Sequence, residues 1–107
     1  TMSGFLELEK ADVTWFLSID ANNLPEQIRS KGQTTFRSIL IDGHEVEFSE
    51  GFTELHTVVY KNILDGKGYG IEDARASIEM AYQIRNAETK TAGEFSHPLL
   101  QKVIQSK

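Results

Sequence analysis

Arg37 is the residue whose setting most demands a chemical explanation. It lies in the run Thr34 to Ile41, on the same face as Ile39 and Ile41 in an otherwise apolar strand pattern. A guanidinium placed there needs an anionic partner, because its planar fork matches a carboxylate or phosphate. That partner is either an internal Asp or Glu or the acidic group of a bound substrate. The three histidines, His44, His56 and His97, lack metal-ligand spacing, since zinc sites on helices pair residues one turn apart. His56, with Glu54 and Tyr60 nearby, has the company of a general base or of a hydrogen-bonded structural histidine. Asp12, Asp20, Asp42, Glu45 and Glu47 sit on or beside strand-like runs. Paired carboxylates there suit acid–base work; a solvated outer strand face carries the same residues. Gly66-Lys67-Gly68-Tyr69-Gly70 has the composition of a phosphate loop. Its context differs, because a dinucleotide fingerprint follows a strand and opens a helix. Here the glycines follow a helical pattern, which fits a cap and a tight turn.

These residues belong to a chain of 107 residues, read as a single domain over 1–107. Eleven basic and sixteen acidic side chains give a net charge of -5. Non-specific affinity for a phosphate backbone needs clustered positive charge, so no nucleic-acid partner is expected. No apolar run reaches membrane-spanning length, so no membrane partner is expected. The chain has no cysteine, which removes disulfides, thiolate metal sites and a cysteine nucleophile and fits a cytoplasmic location. No metal site is expected.

The elements that position the candidates follow from periodicity. Phe5 to Leu8 reads as a short strand, so close to the start that the chain is expected to begin within a larger fold. Ala11 to Asp20 alternates, with Val13, Trp15, Leu17 and Ile19 on one face and Asp12, Thr14, Ser18 and Asp20 on the other. Phe16 interrupts the polar face. Large aromatics on both faces mean that one face packs on helices, while the other is an interface or lies under a folded-back loop. Asn22-Asn23-Leu24-Pro25 stops the strand, and Glu26 to Gln33 is a loop with one helical turn. Asp42-Gly43 joins Thr34–Ile41 to His44–Phe48 as a hairpin. From Phe52, apolar residues at Leu55, Val59, Ile63 and Leu64 predict a helix capped by Thr53 or Ser49 and ended by Gly66. A second helix runs from about Glu72 to Ala87, with Ala74, Ile78, Ala81, Tyr82 and Arg85 on one face. Ser96-His97-Pro98 opens a last short helix with Leu99, Leu100, Val103 and Ile104 on its apolar side. Strands first and helices later define an α+β fold, a mostly antiparallel open sheet with helices packed on one face.

Several of these segments, in order, resemble one family. They are Val13 to Pro25, Phe36 to Gly43, Gly51 to Tyr60, and Ile63 to Arg75. Together they look like the C-terminal domain of Gfo/Idh/MocA oxidoreductases, nearest to the bacterial UDP-N-acetyl-glucosaminuronate 3-dehydrogenases of lipopolysaccharide and O-antigen sugar synthesis. The resemblance implies a parent enzyme with an N-terminal Rossmann domain that binds NAD(P), and a C-terminal sheet domain that shapes the site for a UDP-sugar and carries homo-oligomer contacts. The family's glycine fingerprint, Glu-Lys-Pro lysine and Gly-x-His-x-x-Asp histidine match no position here. The resemblance therefore assigns this chain no catalytic residue and no cofactor ligand, and no activity on its own. It implies that Arg37, Ser18, Asp20 and Asn22 face substrate or a neighbouring subunit. The alternative reading is an independent small α+β domain that binds an anionic ligand at Arg37 or a partner chain at a sheet edge.

Overall fold

The computed structural model describes residues 1–51 and 53–106. Phe52, where the first long helix was expected to start, lies outside them. The chain divides into two compact units, Thr1–Ser49 with Thr91–Lys107, and Glu50–Lys90.

In the first unit, β1 (Met2–Glu7) pairs antiparallel with β2 (Asp12–Leu17). The turn is closed by the Leu8 N–H donating to the Ala11 carbonyl at 2.9 Å. Pairing sets Met2, Gly4 and Leu6 opposite Leu17, Trp15 and Val13. With a side-chain period of two, these six share one face, and Ser3, Phe5, Glu7, Asp12, Thr14 and Phe16 share the other. Trp15 lies across Gly4, where an added Cβ would come within 2.6 Å of the indole Nε1. The second face is met by the returning C-terminal segment. Phe95 stacks on Phe5 with ring centroids 5.0 Å apart, and His97 stacks on Phe16 at 5.6 Å. The folded-back segment thus covers the Phe16 face, while Met2 and Leu17 on the Trp15 face stay more than half exposed.

β2 stops at Leu17, earlier than the expected Asp20, because the Ser18 hydroxyl captures the Asp20 N–H at 3.1 Å and begins a turn. Ile19, expected to continue the face of Val13, Trp15 and Leu17, is consequently 98% exposed. β3 (Ser38–Ile41) and β4 (His44–Glu47) form a hairpin across Asp42 (φ 48°) and Gly43 (φ 84°). Positive φ at both central residues is the type I′ geometry that suits strand twist. Past the ladder, the Phe48 N–H donates to the Arg37 carbonyl and the Arg37 N–H to Ser49 Oγ, at 2.9 and 2.8 Å. The α+β class and antiparallel pairing agree with the sequence. The strands form two separate two-stranded ladders rather than one continuous sheet.

The second unit holds α2 (Leu55–Leu64) and α3 (Ile71–Asn86). Among the described residues no side chain caps α2. Ser49, one of the two expected caps, is engaged at the β3–β4 hairpin instead. α2 ends as expected at Gly66 (φ 70°). The Lys67 N–H reaches the Asn62 carbonyl at 2.7 Å and the Gly66 N–H the Ile63 carbonyl at 3.1 Å, a Schellman closure. Asp73 Oδ2 accepts the Gly70 N–H at 2.7 Å to open α3. Ile78 and Tyr82, which share one face of α3, are mainly exposed, whereas Met80 and Ile84 are half-buried. Two helices cannot enclose every apolar stripe between them.

We expect Gly4→Ala to push the indole off its seat. The loss should be about 1–3 kcal/mol by overpacking, with a red-shifted emission from the only tryptophan, both measured in one urea titration followed by fluorescence.

Candidate functional site

The turn after β2 gathers the polar candidates. Ser18 Oγ accepts from the Asp20 N–H at 3.1 Å and from Asn23 Nδ2 at 2.7 Å, and lies 3.2 Å from Thr1 Oγ1. A hydroxyl has two lone pairs and one proton, so these partners saturate it. Asp20 Oδ1 accepts from both the backbone N–H and Nδ2 of Asn22, at 2.9 and 3.0 Å. Asp20 thereby caps a short 3-10 turn, Ala21–Asn23, which delivers the chain through Leu24 and Pro25 into α1 (Glu26–Arg29). The single helical turn expected in this loop is α1.

Against this turn runs α4 (Pro98–Gln105). Between them is a groove of about 450 Å³. Phe16, Leu24, Leu99 and Val103 supply its apolar walls; Asn22, Asn23, Glu26 and Lys102 supply polar groups. That volume and mixture fall within the range of small-ligand sites.

α4 has the expected proline in its first turn, but the cap is an imidazole. His97 Nδ1 accepts the Leu99 N–H at 3.1 Å. Ser96 Oγ accepts the Gly93 N–H instead, at 2.8 Å. Capping side chains are worth about 0.5–2 kcal/mol. Burial holds the His97 pKa below its ordinary value, since desolvation disfavours the imidazolium.

Arg37 stands just before β3, not within it, and is exposed. Its side chain makes only a long contact, Nη1 to the Ser49 carbonyl at 3.5 Å. Of its two possible partners, the internal carboxylate is not found: among the described residues the one ion pair is Arg75 with Glu72, at 2.7 Å on the surface of α3. Exposure explains this, because a guanidinium in water needs no protein counter-charge. Nearby, the Ser49 hydroxyl and backbone N–H hold the Glu47 carboxyl below the usual carboxylate range. Ser18, Asp20 and Asn22 are thus joined in one turn, while no hydrogen bond links Arg37 to them among the described residues.

The glycine run offers no dinucleotide cradle. Gly66 closes α2, a Cβ at Gly68 would press on Ile63 at 3.2 Å, and the Gly70 N–H already has the Asp73 carboxylate. Among the described residues no group of three His, Cys, Asp or Glu side chains could hold a metal ion, and no helix is long and apolar enough to cross a membrane. Asn23, Lys102 and His97 were not singled out from sequence as site residues. Pro98 at a helix start does mark its predecessor as a cap, which is the signal that points to His97.

Two solved structures of the WlbA (WbpB) dehydrogenase from Thermus thermophilus are similar to this chain. One, in complex with NAD and alpha-ketoglutarate, is 49% identical with a TM-score of 0.81, over 90% of this chain and 31% of that one. The other, in complex with NAD and UDP-GlcNAcA, is 47% identical with the same TM-score and coverage. The resemblance drawn from the sequence is thereby borne out. The chain spans about a third of the length of the dehydrogenases it matches. No family model matches it.

Ser18→Ala should lower stability by about 1 kcal/mol, because two donors lose a shared acceptor. Asn23→Ala should cost a similar amount. The double variant should fall short of the sum in urea unfolding, as expected of residues in one network.

Proposed function

We propose that this chain is the substrate-shaping and oligomerisation domain, over 1–107, of an NAD(P)-dependent Gfo/Idh/MocA dehydrogenase acting at C3 of a UDP-N-acetyl-hexosaminuronic acid in the cytoplasm. The observation that carries this is 49% identity over 90% of the chain to a dehydrogenase crystallised with NAD, joined to a second complex holding UDP-GlcNAcA. The cofactor would accept the hydride from C3, and the remainder of the parent would supply its binding site. This chain's residues bind and orient. Ser18 Oγ and Asp20 Oδ1 accept the hydrogen bonds that hold the turn. Asn22 keeps its amide oxygen, and Arg37 its guanidinium, for a substrate or a neighbouring subunit. The Trp15 face, with Met2 and Leu17 exposed, is the self-association surface.

Titrating the chain with UDP-GlcNAcA and, separately, NAD by calorimetry should give no heat with either, because the site is shared with the rest of the parent. Micromolar NAD binding would overturn the assignment. Sugar-nucleotide binding lost in Arg37→Ala would make this domain a sufficient site and favour the anion-binding alternative. Light scattering should find a dimer or larger, shifted toward monomer by Leu17→Glu; a strict monomer at high concentration would remove the oligomerisation role.

A further inference from the structure

We propose that the neutral ring of His97 is an acid-sensitive latch that fastens α4 to the β1–β2 ladder. One side chain makes both attachments: Nδ1 receives the Leu99 N–H at 3.1 Å, and the ring stacks on Phe16 of β2 at 5.6 Å. Pro98 at the first helical position has no N–H, so Leu99 brings the first amide of α4 that needs an acceptor. Accepting requires a bare Nδ1, which assigns the ring proton to Nε2. A second proton converts the acceptor into a donor facing a donor. It also sets a positive charge at the positive end of the helix. Attraction of an imidazolium to the Phe16 ring opposes this, yet it cannot replace the lost acceptor.

The charged groups around His97 do not rescue the protonated form. The ladder face bearing Phe16 carries Glu7 and Asp12 only at its far end. Asp20 and Glu26 lie on the turn and α1, Glu94 precedes the ring, and Lys102 is on α4. Burial holds the His97 pKa below its ordinary value. The attached form therefore binds the proton less readily than the detached one. The latch is fully closed above the ordinary imidazole range and weakens as pH falls through it. Leu99, Lys102 and Val103 line the groove, so release of α4 takes down one of its walls.

The test follows ring nitrogen, Leu99 amide and α4 carbon chemical shifts of the intact chain from about pH 8 to about pH 4.5. The expected result is a single midpoint for all three, with roughly tenfold faster amide exchange at Leu99 in the protonated form, corrected for intrinsic rate. His97→Asn, which keeps a capping acceptor, should retain α4 and lose the transition. Leu99 and α4 shifts that stay constant while His97 titrates would overturn the proposal. An unchanged transition in His97→Asn, or an α4 that is unformed at neutral pH, would do the same.

Discussion

The register of Gly4 against Trp15 governs the first unit. The indole occupies the volume that any side chain at position 4 would need. Because strand side chains alternate strictly, fixing this pair sends Phe5 and Phe16 to the opposite face. There they meet Phe95 and His97, and His97 in turn starts α4. The groove beside α4 is bounded on one side by Phe16 and the turn after β2. A slip of one residue would exchange the two faces and leave the C-terminal segment without its aromatic seats.

What holds the units is mostly local geometry rather than an enclosed core. Among the described residues none is buried. Burying a large aliphatic side chain is worth roughly 1.5–3 kcal/mol, and Ile19, Leu64 and Ile71 realise little of this. Stability within the units therefore leans on turns and caps: the Asp42-Gly43 turn, the Schellman closure at Gly66, and the Asp73 bond to Gly70.

Wherever short-range rules suffice, the sequence was legible. Asp42-Gly43 and Gly66 adopt the backbone angles their types demand, and the bounds of α3 follow its periodicity. Longer-range outcomes were not legible. Alternation told which residues share a face of β2, but not which face the distant segment 91–107 would cover. Ser49 could serve a helix start or a hairpin end, and only the bond from the Arg37 N–H to its hydroxyl, just past the ladder, decided between them. Arg37 itself was misread because a strand pattern does not reveal where the ladder begins. For the site, Ser18, Asp20 and Asn22 proved to be neighbours in one turn, but Lys102 and His97 come to that region through tertiary packing that spacing does not encode.

The Phe5–Phe95 stack joins residues far apart in sequence. The first unit consists of two stretches far apart in sequence, whereas the second is one continuous stretch between them. On a ribosome, which extends the chain from its N-terminus, α2 and α3 emerge in full before Phe95 and His97 exist. Contacts between distant residues carry a loop-closure cost and form slowly. The aromatic seats on β1 and β2 thus stay open while α2 and α3 are made, and the first unit is completed only after the second.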